Sequence, residues 1–237
     1  PVPGNDSSLD WLVKGAVIQG SVSRKFFSRW YLGVLGRMLD LDQALDLNAP
    51  DKPPAVGDSI RSVGGGLTLA YDTRDVPTNA YNGSYFEAEA IESVTSGDLD
   101  DSYSSYSLRY RTYFQLYNPL VLALDASACS RDGAVPLWDT CRLNQRGYAI
   151  TEYLGKEAYQ GQAEIRWKAW RKLGFTAFGG LGYIGKSFSD ALQNERVPSA
   201  GVGVRYMLLD AKRINLRVDV AKSSGDSVFY LAVGEAF

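Results

Sequence analysis

Histidine is missing from the 237-residue chain altogether. Without an imidazole neither a Ser-His-Asp nor a Cys-His set can be assembled, so the lipases, deacylases and proteases that rely on one are excluded and no catalytic residue is assigned. Cysteine is almost as scarce, with two residues, and the carboxylates around them lack the ligand spacing of a zinc site. The acidic stretch Gly97-Asp98-Leu99-Asp100-Asp101 lacks the regular ligands, central glycine and closing glutamate of a calcium loop. Gly64-Gly65-Gly66 has no following Lys-Ser/Thr, so it reads as backbone geometry opening a strand, not as a phosphate loop. No metal and no other cofactor is expected. Long apolar runs are missing as well. No window approaches the roughly 18 uncharged apolar residues of a membrane-spanning helix, which excludes a helical membrane protein. Nor is there a basic excess, since the net charge is -2, so nucleic acid is not an expected partner.

What the chain does have is alternation of period two. In Ser107 to Leu116, Leu108, Tyr110, Thr112, Phe114 and Leu116 share one face, opposed by Arg109, Arg111, Tyr113 and Gln115. Ala163, Ile165 and Trp167 oppose Glu164, Arg166 and Lys168, and Ile214, Leu216, Val218 and Val220 oppose Asn215, Arg217 and Asp219. Leu67, Leu69, Tyr71 and Thr73 alternate in the same way with Thr68, Ala70, Asp72 and Arg74. Strands near 84–93 and 119–128 place Glu87, Glu89 and Asp125 on the charged face, and weaker runs cover 12–22 and 26–39. With 174–185, 200–209 and 228–237 the segments number eleven. Bacterial single-chain barrels favour even counts, so the fold expected is an all-β transmembrane antiparallel barrel of about 12 strands. The region 12–39 is expected to hold the additional one.

Turn chemistry agrees with that reading. Asn82-Gly83 suits a tight hairpin, Asn118-Pro119 a turn start and Ser224-Gly225-Asp226 a short connection. Longer polar stretches at 40–58, 94–104, 129–160 and 187–199 fall at alternate connections, as in a barrel with long loops at one end only. Aromatics, with 15 Tyr, 9 Phe and 5 Trp, are numerous enough for girdles. Cys129 and Cys141 flank a short Gly/Pro-containing loop and are expected to form a disulfide, which implies an oxidising compartment; two unpaired thiols are the alternative. The start at Pro1-Val-Pro-Gly, with neither Met nor a signal peptide, implies that a targeting segment has been removed. A soluble sandwich or lipocalin-like barrel would show the same alternation with the faces reversed. Charge on one face, aromatics at strand ends and a final run Val228 to Phe237 that closes on an aromatic favour the membrane barrel.

Three motifs occur in order. They are Gly64 through Asp75 with Asp72-Thr73-Arg74-Asp75 followed by Asn82-Gly83-Ser84-Tyr85, then Arg146-Gly147-Tyr148 before Glu164-Ile165-Arg166, then Val233-Gly234-Glu235-Ala236-Phe237. Across residues 60–237 this set resembles the barrel of the outer-membrane protein 85 superfamily, the BamA-like bacterial surface-antigen barrels that include TamA and FhaC. The resemblance implies a single domain, 1–237, in the outer membrane of a Gram-negative bacterium, with residues 1–10 as a periplasmic segment and 129–160 as a long extracellular loop folding into the lumen. Arg146, Gly147 and Tyr148 would form the loop tip, with Glu164 as the acceptor for Arg146. Where the family's next strand carries an acidic residue this chain has Gly180, so either Asp219 or Asp125 substitutes or the loop is held less firmly. Phe229, Leu231, Val233 and Phe237 would carry the insertion signal and the seam to the first strand. The periplasmic repeats of assembly and secretion members are lacking, which implies a short, repeat-less member or the C-terminal part of a longer protein. Implied partners are outer-membrane lipid and lipopolysaccharide, the barrel assembly machinery during biogenesis, and a client outer-membrane protein or lipid. Membrane insertion or transport of protein or lipid is the expected activity; a passive pore, its selectivity set by Arg109, Arg111, Arg166, Lys168 and Arg217 against Glu87, Glu89 and Asp125, or a structural barrel are the alternatives.

Overall fold

The computed structural model describes residues 8–48, 56–97, 101–149, 152–194, 196–223 and 227–237. Six strands come first: β1 (Ser8–Phe27), β2 (Trp30–Asn48), β3 (Val56–Asp72), β4 (Gly83–Gly97), β5 (Ser102–Tyr117) and β6 (Leu120–Gly133). A connecting segment contains the two-residue strands β7 (Cys141–Arg142) and β8 (Leu154–Gly155), which pair with each other. Then follow β9 (Glu157–Trp170), β10 (Leu173–Gly185), a single-turn helix α1 (Phe188–Gln193), β11 (Val197–Leu209), β12 (Ile214–Lys222) and β13 (Ser227–Val233). Eleven strands make one antiparallel sheet in chain order, with β9 beside β6. The period-two pattern yields this meander because most strands from β2 onward turn one row of side chains inward and every connection in it is a hairpin or a single excursion.

The count of eleven that the alternation gives is the number in the sheet, and the twelfth strand expected within 12–39 is not there. That region is instead one long hairpin, with β1 and β2 paired from Ser8↔Asn48 to Phe27↔Trp30. Polar stretches expected as loops are partly strand too: β2 runs on to Asn48, β4 to Gly97 and β6 to Gly133. Ladder bonds absorb the backbone polar groups there whatever the side-chain polarity. Residues 1–7 of the expected N-terminal segment lie outside the described residues, and Ser8 onward belongs to β1.

The last strand is shorter than expected. β13 ends at Val233, Gly234 turns the backbone with φ 100°, and Phe237 packs into a buried cluster with Ala80, Tyr113 and Ala123. Phe229, Leu231 and Val233 point outward, each more than 60% exposed, whereas Phe237 is on the other face. Among the described residues no ladder joins β13 to β1, so the sheet has two edges.

Cross-contacts show that the sheet curls around an interior. Arg37 on β2 reaches Asp139, Arg166 on β9 reaches Asn79 beyond β3, and Arg213 after β11 pairs with Asp75. From β2 onward the outer face is largely apolar and exposed, and the inner face is largely polar and more buried. The short turns and Phe237 share one end, called here the turn end; the segment between β6 and β9 enters from the other.

Candidate functional site

The segment 134–156 leaves β6 at the loop end and is tethered at once by the disulfide Cys129–Cys141. A 3-10 turn at Leu137–Asp139 then carries it across the interior. Trp138 is buried with Leu39, Leu41 and Ile60, and Asp139 accepts from Arg37 Nη1 at 3.1 Å and Nη2 at 2.5 Å. This bidentate pair joins the segment to β2. On the return, Leu143 and Tyr148 pack with Cys141, Ala158 and Val197. The Tyr148 hydroxyl donates to the Pro198 carbonyl at 2.5 Å, and Gly147 N–H donates to the Tyr230 hydroxyl at 2.7 Å. Gly147 sits at φ 109°, a backbone state that a side chain there would strain.

That turn aims Arg146 inward. Its Nη1 donates to Glu164 Oε2 at 2.5 Å and to Asp219 Oδ2 at 3.2 Å, and its guanidinium lies 3.4 Å from the centre of the Phe178 ring. Glu164 and Asp219 are fully buried. Carboxylates so placed must be paired, since an uncompensated buried charge is expensive. Glu164 Oε1 also accepts from Arg166 Nε at 2.7 Å, and Asp219 accepts from Arg205 Nη1 and, at 3.4 Å, from Arg217 Nη1. Arg205 Nε donates in turn to Glu235 at 2.8 Å, and Arg166 Nη2 to the Phe237 carbonyl oxygen at 2.8 Å. Four arginines and three carboxylates therefore form one network linking the loop tip, β9, β11, β12 and the residues after β13.

Of the residues named from sequence, Arg146, Gly147, Tyr148, Glu164 and Asp219 are brought together. Asp125 is not part of that set; its Oδ1 is held by Arg109 at 3.2 Å and Arg111 at 2.9 Å. Arg205, Glu235, Phe178 and Tyr230 are members that the sequence reading missed. The charged-face position of Arg205 and the period-two position of Tyr230 were available signals. Glu235 stands in the terminal motif, but it lies past the end of β13, where no alternation points it toward the network.

Glycines shape the wall that receives the loop. A Cβ on Gly182 would meet Leu143 and the Gln145 amide, and one on Gly203 would collide with the Asp219 carboxylate. Gly180, where an acid was looked for, faces Gln162; a Cβ there would come within 2.7 Å of the Gln162 Cγ. The strand thus gives up an acceptor and gains space, while Asp219 on β12 supplies the second carboxylate. Beside the network is a polar cavity of about 330 Å³ lined by Arg109, Asp125, Gln145, Arg146, Arg217 and Tyr230 among others. That is roomy enough for several ordered waters. No metal-ligand cluster occurs among the described residues.

At the turn end, residues 73–82 form a strap. Asp75 Oδ2 accepts from Arg213 Nη1 at 2.6 Å, Thr78 Oγ1 donates to the Lys212 carbonyl at 2.6 Å, and the Arg213 guanidinium lies 4.0 Å from the centre of the Tyr81 ring. Partial burial raises the Asp75 pKa, but the Arg213 contact and the N–H groups of Tyr81, Asn82 and Val76 outweigh it and leave the carboxyl below its ordinary range. The Asp72-Thr73-Arg74-Asp75 motif is therefore a structural clasp. Arg74 closes back onto Asp72, and Asp75 ties the loop to the turn after β11.

The network can hold a loop, exclude bulk water and fix charge. Compared with known proteins, the chain matches no family model and no curated protein.

Proposed function

We propose that the chain is an integral outer-membrane β-barrel of the outer-membrane protein 85 type that helps protein or lipid enter or cross the membrane. One observation carries this reading: large apolar side chains are exposed on the outer face and charges are buried on the inner one. Ten of the eleven strands expose such residues, among them Leu67, Leu108, Trp167, Val202 and Leu231, each at least 48% accessible. A soluble protein seldom exposes so large a continuous apolar patch. A bilayer matches it, since lipid-facing and lumen-facing residues alternate along a spanning strand. Most strands exceed the roughly 9 to 11 residues that cross hydrocarbon.

In hydrocarbon an open sheet edge leaves backbone groups unsatisfied, so membrane residence calls for β1 and β13 to meet. β13 offers 7 residues against 20 on β1. A seam so mismatched is a weak line along which bilayer or client could be perturbed. The interior network, in which arginines hold Glu164, Asp219 and Glu235, favours a second reading, a structural barrel without transport. For a diffusion pore the Arg146 loop would have to leave the interior. The purified chain, refolded into planar bilayers and vesicles, separates the three. Steady conductance steps mean a pore, a silent barrel that speeds fluorescent-lipid scrambling or client insertion supports the proposal, and a silent inert barrel is structural.

A further inference from the structure

The two ends of the sheet carry different charge. At the turn end, three connections each combine exposed cations with exposed apolar side chains. The β1–β2 turn has Arg24, Lys25 and Arg29 beside Phe26 and Phe27. The β9–β10 turn has Lys168, Arg171 and Lys172 beside Trp170, with the Arg171 guanidinium 5.9 Å from the Trp170 ring centre. After β11, Lys212 follows Leu209. Seven exposed cations thus stand against two exposed carboxylates at this end, Asp75 and Asp210, and Asp75 is already held by Arg213. At the loop end the signs are mixed, with Asp42, Glu92, Asp101 and Asp132 interleaved with Lys156, Lys186, Arg196 and Lys222.

We infer that the turn end binds the headgroups of an anionic phospholipid leaflet, the cations holding lipid phosphates while Phe26, Phe27 and Trp170 seat at the boundary between headgroups and acyl chains. The inference rests on the membrane reading above and adds to it an orientation and a lipid class. Three features point to lipid. The charge is predominantly positive and set along the end of an apolar wall, not gathered in a pocket. Each cationic group has an adjacent exposed apolar residue, which is the amphipathic pairing of the bilayer interface. The strand leading into the last of these turns exposes an apolar row, Val202, Val204, Tyr206 and Leu208, along β11. An acidic protein partner would satisfy the charge but not explain exposed aromatics on separate turns of the same end.

The full chain is refolded into phosphatidylcholine vesicles with and without phosphatidylglycerol, insertion is scored by flotation, and lipid retained in polymer-excised discs is quantified by mass spectrometry. Wild-type discs are expected to be enriched in phosphatidylglycerol over the bulk membrane, and high salt is expected to reduce the enrichment by screening. The variant Arg24→Glu/Lys25→Glu/Arg171→Glu/Lys172→Glu is expected to float normally and lose at least about fivefold of the enrichment, since a single surface cation is worth roughly that factor. Lys186→Glu, at the loop end, is expected to change nothing. An inserted wild type without enrichment, or enrichment insensitive to salt and to the fourfold variant, overturns the inference and directs attention to a protein partner. A chain that floats with neither vesicle overturns the membrane reading itself, and this one with it. The salt arm needs no variant, so a misfolded variant leaves the test intact.

Discussion

The strands near the two edges of the sheet have the same alternation and different surroundings. Along β9 to β12 the inward row is buried: Glu164, Arg166, Thr176, Arg205 and Asp219 are all less than 10% exposed. Along β1, from Lys14 to Phe27, every residue is exposed on both faces, including Val17 and Ser21, which share the inward row through their pairing with Leu39 and Leu35. The difference lies across the interior. β9 to β12 face the Arg146 loop, whereas the hairpin β1–β2 is tied to the same segment through Trp138 and the Arg37–Asp139 pair on β2. Period two makes a strand two-faced. Only something packed opposite turns one face into an interior.

That contrast can be broken most severely at Glu164. Glu164→Ala leaves Arg146 and Arg166 short of a carboxylate in a buried site and should cost about 3 to 5 kcal/mol, read as lost resistance to heat and SDS. Arg146→Ala should cost less, because Glu164 keeps Arg166 and Asp219 keeps Arg205. Equal losses in the two variants would mean that the charges do not share partners as described. Replacing Cys129 and Cys141 together by serine should cost roughly 2 to 3 kcal/mol, by releasing a loop closed over 12 residues. Arg37→Ala should cost about 1 to 3 kcal/mol through the buried hydrogen bonds to Asp139 that it removes. Hydrogen exchange should then quicken in β1 and β2 and stay slow in β9 to β12; equal quickening throughout would erase the contrast between the edges.

The smallest effect is expected at the turn-end clasp. Asp75→Asn should cost below about 1 kcal/mol, since the pair is partly solvated. Its signature is in the pH dependence. The carboxyl is held below its ordinary value of 3.8, so its contribution is complete above that value and disappears as pH falls through the lowered one. Wild type should therefore lose stability in strong acid by a step that Asp75→Asn lacks. Identical acid profiles would show that Asp75 and Arg213 do not clasp in solution.

Much of this fold could be read from the sequence wherever one face was under pressure to be polar. Ser107 to Leu116, Gln162 to Ala169 and Ile214 to Val220 were placed face by face, because each packs against buried charge on one side only. The run 12–39 was harder to divide. Gly15, Gly20, Gly33 and Gly36 interrupt its pattern, and β1 has no buried face to enforce one. At the site, Arg146, Glu164 and Asp219 were legible through a motif and an alternation. The Arg37–Asp139 pair was not, because its partners are 102 residues apart and neither lies in a pattern that names the other. The inward turn of Phe237 also escaped. An aromatic closing the run Val228 to Phe237 reads as more strand, whereas the backbone leaves the strand at Gly234.

Gly182 has a consequence for how this sequence can change. Because a Cβ there would run into Leu143 and Gln145, the loop and its wall cannot drift independently. A larger residue at 182 is accommodated most easily once Leu143 has shrunk, and a shortened Leu143 leaves a void until 182 has grown. The order of substitutions is thereby constrained, with each step conditional on the one before. Gly182→Ala and Leu143→Ala should each be harmful alone and partly compensate together, so that across descendants of this chain the two positions would be inherited as a pair.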